Sequence, residues 1–103
     1  MEIKMYVRKC IITRPNTDVI FRPDSPNIWS IICKYLDDGK LLYRGVDFSE
    51  DGLTRIDTYI FNSKDDCTAM LSEPLVIDYV TNILPSWFAN NSSHTRTQEE
   101  EEI

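Results

Sequence analysis

Residues 41–61, LLYRGVDFSEDGLTRIDTYIF, indicate the fold of this 103-residue chain more directly than any other stretch. Two alternating, largely apolar runs, 41–48 and 53–62, flank the tetrapeptide Ser49-Glu50-Asp51-Gly52. Gly52 can adopt the positive φ that such a turn requires, and aspartate is common at turn positions. The stretch therefore predicts a β-hairpin.

The register of this hairpin depends on where the turn closes. If Phe48 lies opposite Leu53, then Arg44 lies opposite Asp57, and an opposite-charge cross-strand pair contributes roughly a few tenths of a kcal/mol. A slipped register would instead set Arg44 against Tyr59. We expect the register that pairs the two charges.

A helix is predicted on the N-terminal side of the hairpin. Ser25 followed by Pro26 is a typical helix start, with a capping hydroxyl before a proline in the first turn. Gly39 is a typical end, because it can take the left-handed conformation. Between them runs an apolar stripe at helical spacing, formed by Ile28, Ile32 and Leu36 and broadened by Trp29 and Cys33.

A second helix is predicted after the hairpin. Ser63, with Asp66 three residues later, resembles a capping box. Pro74 interrupts this helix and starts a new one, which we expect to end at Pro85 because proline removes a helical hydrogen bond. The new helix carries an amphipathic stripe formed by Leu75, Val76, Tyr79, Val80 and Ile83.

The two ends of the chain complete the pattern. Residues 3–13 alternate as a strand does, and residues 14–25 form a loop. We expect a single domain over residues 1–91, followed by a polar acidic tail, residues 92–103. Residues 95–98 can form a fourth strand in this tail, whereas a run such as Glu99-Glu100-Glu101-Glu102 is typical of a solvated, disordered segment.

The charge of the chain limits its partners. The formal net charge is −6, with 17 acidic and 11 basic residues, and four of the acids form the run at 99–102. Non-specific nucleic-acid binding requires a basic face that releases counterions, so the composition argues against it. A DNA-mimicking inhibitor stays open as an alternative, and it requires acids spread along one face.

The cysteines and the hydropathy point to a cytoplasmic protein. Cys10, Cys33 and Cys67 are far apart and odd in number, so they predict neither a disulfide framework nor a metal site. We expect each to be a small buried side chain. No apolar run approaches the length of a membrane span, and the first residues do not resemble a signal peptide.

The predicted elements follow one another as strand, helix, hairpin, helix and possible strand. This order predicts an α+β protein with the ferredoxin-like arrangement βαββα(β), an antiparallel sheet with helices on one face. Both sheet faces are apolar. One would hold Tyr6, Cys10, Ile12, Leu42, Val46, Phe48, Leu53, Tyr59 and Phe61. The other would hold Ile3, Met5, Val7, Ile11, Leu41, Tyr43, Ile56 and Ile60. Since helices can cover one face in so short a chain, the pattern predicts a homodimer whose sheets pack together.

The chain resembles the dimeric α+β barrel superfamily, which contains the antibiotic-biosynthesis monooxygenase-like proteins. The resemblance rests on the Asp51-Gly52 hairpin, the strand 56–61, the helix 63–72 and its break and restart at 73–76. The chain also resembles small accessory proteins of tailed bacteriophages. The superfamily resemblance implies a dimeric barrel and a pocket that works without a cofactor. Its haem-degrading branch uses a histidine on the second long helix, and no histidine stands between residues 63 and 83.

No pattern of catalytic or metal-binding residues stands out. The single histidine, His94, is in the polar tail, where we expect it to be exposed, and no serine or cysteine has a histidine nearby in the sequence. The adjacent carboxylates Asp37-Asp38 and Asp65-Asp66 stand at helix ends without the spacing of a Ca²⁺ loop. We therefore predict no catalytic residue, no metal and no cofactor.

A set of polar residues nevertheless shares one predicted sheet face. If that face lines a cavity between protomers, these residues can hold a polar or anionic small ligand; if not, they form ion pairs at a dimer interface. The candidate ligand-binding or interface residues are Tyr6, Arg8, Arg44, Arg55, Asp57 and Tyr59.

The sequence thus favours a non-catalytic homodimer that acts by binding another protein. The alternative is a cofactor-independent, monooxygenase-like or isomerase enzyme with a pocket in the dimeric barrel. A closed pocket around Arg44, Asp57 and Tyr59 would favour the enzyme, whereas side chains that only pair and fill the space would not.

Overall fold

A computed structural model describes residues 4–21, 25–91 and 93–103. In chain order the elements are β1 (Tyr6–Thr13), α1 (Pro26–Asp37), β2 (Leu41–Phe48), β3 (Thr54–Phe61), α2 (Lys64–Leu71), α3 (Pro74–Asp78), a π-helical turn (Tyr79–Ile83), α4 (Leu84–Asn90) and β4 (Thr95–Glu102). The strands form one antiparallel sheet in the order β2-β3-β1-β4, and the helices cover one of its faces. This is the predicted ferredoxin-like arrangement. Ile3, where the first strand was expected to begin, lies outside the described residues.

The core lies between the sheet and the first two helices. Its most buried side chains come from β2, β3 and α1: Leu41, Phe61 and Ile32. The predicted cap of α2 is confirmed, because the Ser63 hydroxyl oxygen accepts a hydrogen bond from the Asp66 N–H at 3.2 Å. The restart of the helix at Pro74 is also confirmed.

The predicted register of the hairpin is wrong. Phe48 lies opposite Arg55, and Arg44 lies opposite Tyr59. The reason is the turn, which includes Leu53: the Asp51 carboxylate accepts hydrogen bonds from the Leu53 N–H at 3.0 Å and from the Ser49 hydroxyl at 2.6 Å. The ladder therefore starts only at Thr54. Gly52 has a φ of 72°, as the turn requires.

A bulge at the other end of the hairpin exchanges two leucines between the faces. The register shifts between Leu41 and Tyr43, so Leu41 lies opposite Phe61 in the core, although it was predicted on the other face. Leu42 is 47% exposed instead of packing with Phe61. A prediction that assigns alternate residues of a strand to opposite faces cannot include the extra residue that a bulge inserts.

The helical layer does not end at Pro85 as predicted but continues to Asn90. Pro85 stands in the first turn of α4, directly after the π-helical turn, in which the Leu84 N–H bonds to the Tyr79 carbonyl. A proline ring clashes with the preceding turn of a regular α-helix, and a widened π turn leaves room for it. The chain thus passes the proline without leaving the helical layer.

The acidic run is part of the sheet. Residues 99–102 belong to β4, which pairs antiparallel with β1 along its whole length. Lys9 lies opposite Glu99, and Arg8 lies opposite Glu100, so two cross-strand charge pairs favour this strand. The run is therefore ordered, and its charges protect an edge strand against pairing with other chains.

Candidate functional site

A cleft of about 90 Å³ lies between the sheet and the helices, and a second cleft of about 70 Å³ adjoins it. We call the two together the helix-side cleft. Its sheet wall is formed by Arg8, Cys10, Ile12, Arg44, Arg55, Asp57, Tyr59 and Arg96. Its helix wall includes Ile28, Trp29, Tyr79, Leu84 and Phe88, and Phe21 from the loop after β1 also lines it. Tyr79 reaches this wall from the π-helical turn, a feature that is frequent at functional sites.

Asp57 forms the centre of the charged part of this wall. Its carboxylate accepts a hydrogen bond from Arg44 Nη2 at 2.9 Å, and Arg55 contacts both of its oxygens, at 3.1 and 3.2 Å. The predicted pair of Arg44 and Asp57 therefore exists, but as a diagonal contact and not as direct neighbours. Because Asp57 is 7% exposed and two guanidinium groups contact its carboxylate, its main role is to keep two buried cations in place.

The guanidinium of Arg44 lies between two aromatic rings. It is 4.8 Å from the ring centre of Trp29 and 5.8 Å from that of Tyr59. Trp29, which belongs to the predicted apolar stripe of α1, is 40% exposed and covers Arg44 from the helix side. Burial raises the pKa of Tyr59 to about 12 although the nearby Arg44 lowers it, so this phenol is neutral at physiological pH.

Tyr6 and Arg8 form a separate group on the same sheet face. The Tyr6 hydroxyl donates to Glu100 Oε2 at 2.9 Å, and Arg8 forms an ion pair with the other oxygen of Glu100. Burial alone would raise the pKa of Glu100, but the hydrogen bonds from Tyr6 and Arg8 hold it below its usual value. All six predicted residues thus share one sheet face. They form two separate groups there, one around Glu100 and one around Asp57.

The predicted position of the cavity needs a correction. The face that carries Arg44, Asp57 and Tyr59 was expected to line a space between protomers, yet it is covered by helices of the same chain. The alternating pattern identifies which residues share a face, but both faces are apolar, so it does not tell which one the helices cover. The cleft belongs to the single chain.

Two further cleft residues were not predicted. Arg96 lies on β4 opposite Ile12 and borders both parts of the cleft. Cys10, on β1, also lines both parts. The only sequence signal for Arg96 was its position in the possible fourth strand.

His94 was predicted to be exposed, but it is buried, with only 5% of its surface accessible to solvent. Its Nε2 is 3.0 Å from the Ile20 carbonyl oxygen, and its ring packs edge-on against Trp87, with ring centres 4.8 Å apart. The turn before β4 draws the histidine inward, since the His94 N–H bonds to the Asn91 carbonyl. It fastens the loop after β1 to α4 and does not line the cleft.

The three cysteines differ in burial. Cys67 is buried, as predicted, and burial raises the pKa of its thiol to about 11. Cys10 is half-buried, and Cys33 is exposed on the outer side of α1, contrary to the prediction. Within residues 4–21, 25–91 and 93–103, no group of three histidine, cysteine or acidic side chains is arranged to hold a metal ion. None of the helices that the structure describes has the length and hydropathy to cross a membrane.

Comparisons with known proteins support the fold. The sequence matches no protein-family model and no curated protein. Among solved structures, a dimeric ferredoxin-like protein from an uncultured marine organism is 11% identical, with a TM-score of 0.64, over 97% of this chain and 95% of that one.

Two further structures are named by their chemistry. The cofactor-independent oxygenase SnoaB from Streptomyces nogalater is 10% identical, with a TM-score of 0.54, over 95% of this chain and 91% of that one. An antibiotic biosynthesis monooxygenase-like protein from Chloroflexus aurantiacus is 15% identical, with a TM-score of 0.50, over 94% of this chain and 90% of that one. The resemblance to bacteriophage accessory proteins has no counterpart among these and stays a prediction. The chain has the ferredoxin-like fold that these monooxygenase-like proteins share.

Proposed function

We propose that this protein is a homodimer in which each chain binds a small organic molecule in the helix-side cleft. The observation that carries the proposal is that the charged cluster around Asp57 borders open space. Side chains that served only as structural ion pairs would be expected to pack closed, because burying charge beside a void gains nothing. A concave site with an apolar wall and a few converging polar groups is typical of ligand pockets.

The homodimer is supported by the face of the sheet that the helices leave open, which we call the outer face. It carries apolar side chains from three strands, Ile11, Tyr43, Ile56 and Ile60, together with Met5 just before β1. Four strands of eight residues present roughly 500 Å² on one face. Two such faces together reach about 1,000 Å², the lower limit for a specific interface. The dimeric ferredoxin-like protein shares this fold.

The proposal is tested by nuclear magnetic resonance of the ¹⁵N-labelled protein with a set of single-ring aromatic compounds. We expect binding to shift the amide signals of cleft residues such as Ile28, Tyr59 and Tyr79. Cys10→Met places a larger side chain in the cleft and should abolish these shifts. Cys33→Met makes the same exchange on the exposed side of α1 and should leave them intact. Absence of any shift in the unaltered protein would overturn the proposal.

A second candidate is a cofactor-independent enzyme that acts on the molecule bound in the same cleft. It is favoured by the common fold with a cofactor-independent oxygenase and by a neutral phenol, Tyr59, inside the cleft. The test is to return the molecule recovered from the native protein to fresh protein in air and to follow its mass and its proton NMR spectrum. A product of different mass or structure, lost in Tyr59→Phe, supports the enzyme; an unchanged molecule supports binding alone.

Action on another protein, which the sequence favoured, stays a separate prediction. The outer face is a protein contact surface, and a second copy of the chain is the occupant that the proposal assigns to it. Co-purification of a partner with the unaltered protein, lost when the outer face is made charged, is the result that would support a third protein instead.

A further inference from the structure

We propose that the ligand of the helix-side cleft is a small planar aromatic carboxylate and that Arg96 is the group that binds its charge. This inference rests on the proposed ligand-binding function. It adds the chemical class of the ligand and assigns recognition to a residue that lies outside the Asp57 cluster.

Arg96 is half-buried at the edge of both parts of the cleft. Its side chain forms no hydrogen bond or ion pair with any residue in the described part of the chain. A guanidinium that borders an apolar cleft and has no carboxylate partner can form charge-assisted hydrogen bonds with an anion that enters the cleft. Arg96 is therefore placed to receive negative charge from outside the protein.

The other cleft arginines are engaged differently. Arg44 and Arg55 both contact the Asp57 carboxylate, and Arg8 contacts Glu100. These three have a carboxylate partner within the chain, and an incoming anion would have to compete with it. Arg96 has no such competitor among the described residues, which makes it the anion-binding group of the cleft.

The remaining wall determines the shape of the ligand. Phe21, Trp29, Tyr59 and Phe88 surround the space beside Arg96. Aromatic walls favour a flat apolar ring, through stacked or edge-to-face contacts. The guanidinium is a planar fork that matches a carboxylate with two parallel hydrogen bonds. A ring that carries a carboxylate fits both the aromatic walls and the guanidinium. The cleft volume of about 90 Å³ limits the ligand to a molecule close to one ring in size.

The test compares benzoate with benzamide, which has the same shape and no charge, in titrations of the ¹⁵N-labelled dimer. We expect benzoate to bind about tenfold more tightly, because a charged hydrogen bond replaces a neutral one. Arg96→Gln should reduce benzoate binding to the level of benzamide and leave benzamide binding unchanged. Lys64→Gln removes the same charge from the exposed start of α2 and should preserve the tenfold preference. Arg96→Lys should restore part of it.

The outcomes separate the two proposals. Equal binding of both compounds at the cleft, or a preference that survives in Arg96→Gln, would overturn the assignment of Arg96 and leave the ligand-binding cleft standing. Binding of neither compound would overturn the inference, and the proposed function falls with it only when the other single-ring aromatic compounds also leave the cleft signals unchanged. A preference lost equally in Lys64→Gln would show general attraction by charge and not recognition by Arg96, which also overturns the inference.

Discussion

At the scale of single residues, Asp57 holds the charged wall of the cleft together. Its carboxylate is in contact with Arg44 and Arg55, and all three side chains are almost withdrawn from water. Replacing Asp57 removes the negative charge that both buried guanidinium groups contact. We therefore predict that Asp57→Asn lowers the free energy of unfolding by roughly 3–5 kcal/mol, measured by urea denaturation.

The matched control is Asp37→Asn, which makes the same change at an exposed position at the end of α1. We expect it to alter the free energy of unfolding by less than about 0.5 kcal/mol. Similar effects of the two substitutions would mean that the Asp57 cluster does not stabilise the fold.

Tyr59 permits a second prediction at this scale. Its pKa in the folded protein is raised to about 12 by burial, from a reference value of 10.0. Between these values the unfolded chain releases the phenolic proton while the folded chain retains it, so the contribution of Tyr59 to stability is present below pH 10 and is lost as the pH rises towards 12. The absorbance difference between the unaltered protein and Tyr59→Phe should titrate near pH 12. A midpoint near pH 10 would contradict the burial of this ring.

At the scale of elements, the hairpin and the helices flanking it could be predicted because each has a local signal. Gly52 and Ser63 mark a turn and a helix start that the surrounding structure only reinforces. The register, the bulge after Leu41 and the passage through Pro85 could not be predicted in this way. They depend on hydrogen bonds of Asp51 and on a π turn that the sequence does not announce.

The strand β4 is held to the sheet by Glu100, which gives a third prediction. Glu100→Gln loses the ion pair with Arg8, so we expect faster hydrogen exchange of the β4 amides. Glu101→Gln removes the same charge on the other face of the strand and should have little effect. Since the pKa of Glu100 is lowered, its contribution is present above the usual pKa of a glutamate, 4.5, and is lost as the pH falls through the folded value.

An equal increase in exchange for both glutamate variants would contradict this role of Glu100. It would mean that the strand responds to its total negative charge and not to one ion pair. The same comparison at high salt distinguishes an effect of the ion pair from an effect of total charge, because a partly buried pair is screened less than exposed charges.

At the scale of the whole molecule, the outer face predicts a dimer. Tyr43 is 45% exposed on that face, while Leu75 is 41% exposed on α3, so the two are matched in exposure but not in location. We predict that Tyr43→Lys shifts the sedimentation of the protein from dimer to monomer, because a charge would be buried in the interface. Leu75→Lys should leave the dimer intact. A monomeric unaltered protein would refute the dimer.

The candidate site was only partly predictable at this scale. Alternation along the strands brought Tyr6, Arg8, Arg44, Arg55, Asp57 and Tyr59 to one face. It did not reveal which face the helices cover, so the cavity was expected between two chains and lies within one. Arg96 and His94 were missed for a common reason: the polar composition of residues 92–103 concealed a strand that is ordered by long-range pairing with β1.

Native mass spectrometry of the protein isolated from its own organism shows directly whether the helix-side cleft holds a small organic molecule. We expect a complex of two 12.0 kDa chains that carries additional small-molecule mass, released on denaturation and absent from Cys10→Met but not from Cys33→Met. A complex whose mass equals that of the bare chains, both before and after denaturation, would contradict it.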